Sequence, residues 1–230
     1  MSLYRHIFFD LDGTLWDFVG NSRETQKEMF QVFKLENYCS DFSNFNRIYQ
    51  KHNDQVWSDY RKGRISKEKL KWFRFYLTLK DCGKYDQVLA KKLDAFYLNE
   101  APKKKTLIPG TMELLEYLSG DYKLHILTNG FNEVQFIKLE NSGLISFFHT
   151  IITSEDAGAL KPDPLIYKYA MQKANAKVDE SLMVGDIYEV DILGAKNVGM
   201  DQAFYNPEKD KVPEPVNFEF SSLSQLIGIL

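Results

Sequence analysis

The sequence predicts an α/β protein: a doubly wound parallel sheet with an inserted all-α helical domain. Three observations carry this. From about residue 124 onward, short β-rich runs alternate with helical stretches, the pattern of βαβ units. Residues 16–102 read as helix throughout. Three strand candidates end in polar residues, at Asp10, at Thr128 with Asn129, and at Asp186. Parallel sheets bind ligands beyond such strand ends.

The elements follow in order. Tyr4 to Phe9 is an apolar strand that stops at Asp10, and Asp12-Gly13-Thr14 follows as a turn. The helical stretch divides into segments near 21–34, 43–61, 66–80 and 85–99, with breaks at Asn37–Ser40, Gly63 and Cys82-Gly83. Gly63 followed by Ser66 reads as a helix stop and a new N-cap. Leu124 to Thr128 is a strand bounded by Asn129-Gly130, and a helix near 132–141 stops at Gly143. His149 to Ser154 is the next strand; a helix near 163–175 follows Pro162. Ser181 to Val184 is a strand ending at Gly185-Asp186; a helix near 189–197 stops at Gly199. Met200 to Tyr205 is the last strand, and Ser221 to Leu230 makes a closing helix.

Composition narrows the function. At 230 residues, the chain is about one and a half ordinary domains. A net charge of −3 offers no basic footprint for a nucleic-acid polymer. With 44% hydrophobic and 27% charged residues, the chain is globular rather than disordered. No apolar run reaches the ~20 residues that span a bilayer, and the N-terminus lacks a signal-peptide core. Two cysteines, Cys39 and Cys82, make no disulfide framework and fit a reducing compartment. The expectation is a cytoplasmic protein without a membrane partner.

The strand-end carboxylates hold the chemistry. Asp10 and Asp12 stand two residues apart beyond a buried strand, and Gly13 permits the tight turn. Asp186 ends another strand, with Asp191 five residues on. Taken alone, each has a bland reading: a strand-end turn, a helix N-cap, a solvated helix carboxylate. Brought together, they repel one another unless a cation intervenes. An all-oxygen set suits Mg²⁺ rather than zinc. Lys161, in the loop Leu160-Lys161-Pro162-Asp163-Pro164, supplies a fixed ammonium, and Thr128 and Asn129 form a candidate phosphate clamp.

In this order, Asp10-Leu11-Asp12-Gly13-Thr14, Thr128-Asn129, Lys161-Pro162 and Gly185-Asp186 with Asp191 resemble the four-motif signature of the haloacid dehalogenase superfamily. The resemblance implies a Rossmann-like core over residues 1–15 and 103–230, with residues 16–102 as a helical C1-type cap. It implies that the cap is a lid over the active site that selects the substrate. A finer resemblance is to the pyrimidine 5′-nucleotidase branch. It rests on Phe9 to Phe18, on Trp57 with Gly63-Arg64-Ile65-Ser66, on Leu127 to Gln135, on Ser154 to Asp163 and on Asn206-Pro207.

The resemblance implies that Asp10 is the nucleophile forming an aspartyl-phosphate, and Asp12 the general acid, then base. Mg²⁺ is implied at Asp10, the Asp12 backbone carbonyl and Asp186, with Asp191 behind them. Lys161, Thr128 and Asn129 are implied to hold phosphoryl oxygens. Haloacid dehalogenases of this fold lack the second Asp, so Asp12 favours phosphatase chemistry. Trp16 and Phe18, just after the catalytic loop, are expected pocket walls. The cap aromatics Trp57, Tyr60, Trp72, Phe73, Phe75 and Tyr76 are expected mostly in the cap core, with one or two free to stack on a base.

The expected substrate is a nucleoside 5′-monophosphate, for a monomer or weak homodimer. A phosphatase of a sugar phosphate or other small phosphometabolite is the alternative. A phosphomutase, a dehalogenase and a catalytically silent binding protein rank below it. His6, His52, His125 and His149 show no ligand spacing and read as core or rim residues.

Overall fold

The computed structural model describes residues 4–230; the first three residues of the expected core segment lie outside the described residues. The chain divides into two compact units, Met1–Phe18 with Lys105–Leu230, and Val19–Lys104.

The first unit is built on six parallel strands. In chain order they are β1 (His6–Phe9), β2 (Lys123–Thr128), β3 (Phe148–Thr153), β4 (Ser181–Gly185), β5 (Asp201–Tyr205) and β6 (Phe218–Phe220). Their order in the sheet is β3-β2-β1-β4-β5-β6. The chain winds outward from β1 through β2 to β3, then returns to the other side of β1 at β4. β1 is therefore the switch point, flanked by β2 with Phe9 opposite Ile126, and by β4 with Phe9 opposite Val184. All four β1 residues are buried, as a central strand covered on both faces requires.

Alternation along the strands sorts side chains onto two cores. Ile7, Phe9, Leu124, Ile126, Leu182 and Val184 pack on one side with Leu114, Leu115 and Leu118 of one helix and Leu223 and Leu226 of another. These lie on Thr111–Leu118 and Leu223–Ile227. Phe8, Leu127, Ile152 and Met183 pack on the other side with Ile166, Tyr167 and Ala170 of the helix Pro164–Ala174. The helix Thr111–Leu118 and the strand β6 are absent from the sequence reading. The first follows a glycine without a side-chain cap, and the second is only three residues long.

The second unit is helical. Phe42–Arg61, Lys67–Asp81 and Gln87–Glu100 each start at a side-chain cap: Asp41 accepts from Asn44 N, Ser66 from Lys69 N and Asp86 from Leu89 N. Met29, Phe45, Tyr49, Phe75, Leu79, Leu93 and Tyr97 form its core. Trp72 and Tyr76 pack partly buried against it, while Trp57, Tyr60 and Phe73 are half-buried outside that cluster. Arg74 is buried with its guanidinium 5.0 Å from the Tyr97 ring centre and 3.7 Å from Asp94.

The cysteines depart from expectation. Cys39 and Cys82 form a disulfide, with Cα atoms 5.0 Å apart. Packing of Phe42–Arg61 against Lys67–Asp81 as a helical hairpin brings the segment before the first helix to the end of the second. Among the described residues no helix is long and apolar enough to cross a membrane.

Candidate active site

Asp10 leaves β1 with its N–H donated to the Val184 carbonyl at 2.9 Å, which ties the first carboxylate to the end of β4. The turn that follows is tight. Gly13 adopts φ +93° beside the Asp186 carboxylate, and a Cβ there would overlap it. Thr14 Oγ1 donates to Asp186 Oδ1 at 2.8 Å. The loop after β1 and the end of β4 are thereby one structure, although they lie 172 residues apart in sequence.

After Asp186 the expected helix near 189–197 begins instead as a single π-helical turn, Tyr188–Ile192, before a short α-helix, Leu193–Asn197. The wider turn carries Asp191 back against Gly185, where only a glycine fits beside it. Ile187 N donates to Asp191 Oδ2 at 3.1 Å, and Tyr167 Oη donates to the Val190 carbonyl at 2.7 Å. Such π turns recur at functional sites. The result is a group of three carboxylates, Asp10, Asp186 and Asp191, each with an oxygen within 4.8 Å of the others. Asp191, expected as a supporting group, stands in this group beside Asp10 and Asp186.

Lys161 sits beneath them, 1% exposed. Its ammonium donates to Asp10 Oδ1, Asp191 Oδ1 and the Leu127 carbonyl, each at 2.6 Å. All three protons of the ammonium have acceptors. Burial alone would lower its pKa, but the two carboxylates outweigh this and raise it to about 12.

The carboxylates respond in the opposite sense. Burial pushes Asp10 up to about 7 against the pull of Lys161, and Asp191 adds to the rise. Desolvation, then the charges of Asp10 and Asp191, hold Asp186 well above the usual carboxylate range. Asp10 and Asp186, crowded together around one ammonium, favour their protonated forms unless another cation joins them. Their hard oxygen donors fit Mg²⁺.

Asp12 is placed differently. Its carboxylate lies outside the three-carboxylate group, with Lys138 Nζ at 2.6 Å from Oδ1 and Gln135 Nε2 at 2.9 Å from Oδ2. Both donors come from the helix Asn132–Asn141. Neither was singled out in the sequence as a site residue. The available signal was two polar residues, three apart, on the stripe that also carries the buried Leu139. Lys138 matters for the charge balance, since the four aspartates are matched by two lysines rather than one.

Thr128, at the end of β2, accepts at Oγ1 from Gly130 N at 3.0 Å and from Gln135 Nε2 at 2.8 Å. Its own proton is left to donate elsewhere. Asn129, expected in the phosphate clamp, turns its side chain to a neighbouring loop. Its Nδ2 donates to the Lys161 carbonyl at 2.9 Å and its Oδ1 accepts from Lys161 N at 2.7 Å. Both ends of the amide are committed to holding the Lys161 loop.

Trp16 is likewise not the pocket wall expected. It is fully buried in the sheet core, because its backbone is pinned: its carbonyl accepts from Gly13 N at 2.9 Å, and it bridges to Leu107. The Lys138 ammonium rests 4.4 Å from its ring centre. Phe18 is half-buried against the same core, 5.9 Å from that ammonium.

A cavity of about 870 Å³ lies elsewhere, lined by Arg5, His6, Lys123 and His149 among others. These residues stand at the amino ends of β1, β2 and β3, away from the carboxylates. The convergent charges, not that cavity, mark the candidate site.

The chain is similar to several known proteins over most of its length. A family model described as haloacid dehalogenase-like hydrolase matches residues 4–199. The pyrimidine 5′-nucleotidase YjjG of Escherichia coli is 34% identical over 97% of this chain and 96% of its own length. The pyrimidine 5′-nucleotidase PynA of Streptococcus pneumoniae is 35% identical over 89% of this chain and 84% of its own. Among solved structures, the HAD-hydrolase YfnB of Bacillus subtilis, described as bound to magnesium, superposes with a TM-score of 0.91 at 26% identity, covering 99% of both chains.

Proposed function

The chain belongs to the haloacid dehalogenase-like hydrolase family, and from that membership we propose that it is a Mg²⁺-dependent phosphatase of nucleoside 5′-monophosphates. The observation that carries the reading is the pairing at the end of β1. Asp10 is gripped by Lys161 within a carboxylate group, and Asp12, two residues on, stands apart with donors of its own. Two carboxylates of one turn are thus given separate environments, as a nucleophile and an acid–base group require.

In this reading an oxygen of Asp10 attacks phosphorus and the ester oxygen departs with a proton from Asp12. The phosphoryl group is left on Asp10 as an acyl phosphate. Water then attacks that phosphorus while Asp12 takes the water's proton, which releases phosphate and restores both side chains. Thr128 Oγ donates to a phosphoryl oxygen. Lys161 orients Asp10 and offsets charge on the phosphoryl group as it moves. Asp10, the Asp12 carbonyl and Asp186, with Asp191 beside them, would hold Mg²⁺, which supplies positive charge against the phosphoryl oxygens. The helical unit Val19–Lys104 follows the nucleophile loop in sequence and in this reading selects the substrate. The nearness in sequence of the two pyrimidine 5′-nucleotidases supports the nucleotide as substrate.

Phosphate release is the test, across nucleoside 5′-monophosphates and sugar phosphates, with Mg²⁺ and with chelator. Turnover that survives Asp10→Asn or chelation sinks the phosphatase reading. A sugar phosphate that exceeds every nucleotide in kcat/KM sinks the nucleotide assignment alone.

A further inference from the structure

The donors on Asp12 are arranged as a fixed grip. Lys138 and Gln135 lie three residues apart, so one face of the helix presents both. Each takes a different carboxylate oxygen. Both are buried, Gln135 completely and Lys138 at 5% exposure. Walls on the far side keep them there. The Lys138 ammonium is backed by the rings of Trp16 and Phe18, an arrangement favourable to a cation. The Gln135 amide is pressed against Gly130, where any Cβ would overlap it. Gln135 also donates to Thr128, so the Asp12 carboxylate and the Thr128 hydroxyl are set by one amide.

We propose that Lys138 and Gln135 are positioning residues that hold the Asp12 carboxylate where it exchanges a proton with the leaving-group oxygen. The inference rests on the phosphatase reading, in which Asp12 is the acid and base. A carboxylate offers about four lone-pair positions, so two held donors leave acceptor positions for the proton in transit. Proton transfer requires hydrogen-bond reach to the reacting oxygen. An Asp12 side chain freed on both oxygens would sample rotamers that miss it. Through Asp12 the grip acts on departure of the ester oxygen, and only Gln135, through Thr128, also touches binding of the phosphoryl group.

The leaving group separates this from a general structural role and from direct substrate binding. A nucleoside 5′-monophosphate expels an alkoxide, which needs the proton. p-Nitrophenyl phosphate expels a phenolate that leaves without one. The measurement is kcat/KM for both esters at saturating Mg²⁺ with Lys138→Met, Gln135→Met and Lys138→Arg. With the nucleotide, Lys138→Met and Gln135→Met are expected to lose about thirtyfold or more, as befits a misplaced general acid. With p-nitrophenyl phosphate the loss in Lys138→Met is expected to stay under about threefold on the same grounds, and Gln135→Met, which also frees Thr128, is expected to lose clearly less than with the nucleotide. Lys138→Arg, which keeps the cationic donor, is expected to recover most of the nucleotide activity.

Equal losses with the two esters, or no loss with either, overturn the proposal. If Lys138→Met does not fold, Gln135→Met and Lys138→Arg are read in the same way. Asp12→Asn keeps the two hypotheses apart. Undiminished turnover in that variant defeats the role given to Asp12. A leaving-group-dependent loss in Asp12→Asn that the Lys138 and Gln135 variants do not share defeats the positioning role only.

Discussion

Asn129 and Lys161 are joined by a reciprocal pair of hydrogen bonds. The Asn129 amide donates to the Lys161 carbonyl at 2.9 Å and accepts from the Lys161 N–H at 2.7 Å. The end of β2 thus holds the backbone from which the Lys161 side chain reaches Asp10. Asn129→Ala removes both bonds, each worth about 1 kcal/mol, and releases the loop. Phosphatase kcat is expected to fall about ten- to a hundredfold, because small displacements of positioning groups are costly. Steady-state kinetics check this, with a thermal melt to show that the fold survives. Wild-type kcat in Asn129→Ala would mean that Lys161 is held without it.

Crowding among Asp10, Asp186 and Asp191 makes a second expectation that needs no turnover. A cation that binds only the folded protein stabilises it by mass action. Mg²⁺ at ~100 times its Kd contributes about 2.7 kcal/mol, enough to raise Tm by roughly 5 °C or more. Asp186→Ala is expected to abolish most of that rise, and chelator to reverse it in the parent. A melt insensitive to Mg²⁺ would leave the carboxylate group without its cation.

The buried histidines set an acid limit on stability. His125 Nε2 meets His6 Nδ1 at 3.0 Å, while His125 Nδ1 is buried without a partner. Burial first, then the neighbouring His6, His149 and Lys123, lower the His125 pKa to about 3, and burial lowers His6 as well. The unfolded chain therefore binds the extra proton between pH 6.5 and about 3, and stability is lost as pH falls through that window. For His125 alone the loss at pH 5 is roughly 2 kcal/mol. Denaturant melts at pH 7.5 and pH 5 measure it, and His125→Phe is expected to narrow the difference.

The Cys39–Cys82 disulfide closes a loop with a sequence separation of 43 in the helical unit. Its loss is expected to cost about 2–4 kcal/mol by the loop-entropy account. Thermal melts with and without dithiothreitol read the effect. Cys82→Ser is expected to melt at the reduced protein's temperature and to ignore the reductant.

Much of this was legible in the chain. Strands ending at Asp10, Thr128 and Asp186 are local patterns, apolar runs stopped by polar turn residues, and parallel strands place such ends together. The helical insertion was equally plain, because caps such as Asp41, Ser66 and Asp86 act within three residues. Elements without such signals were missed: the helix after Gly110 has no side-chain cap, and β6 has three residues.

By itself, the sequence determined the alternating architecture, the helical insertion and the identity of the acidic residues at the strand ends. Only the tertiary structure decided their partners. It placed Asp191 beside Asp10 and Asp186, turned Asn129 from a ligand-facing amide into a brace for Lys161, and sank Trp16 into the core. It also brought Lys138 and Gln135 to Asp12 across more than 120 residues. The reason is one of range. Strand and turn preferences arise between neighbours in the chain, whereas a buried charge needs a partner that only folding supplies. Which residue meets that need depends on the strand order β2-β1-β4, a property of the assembled sheet that no single segment carries.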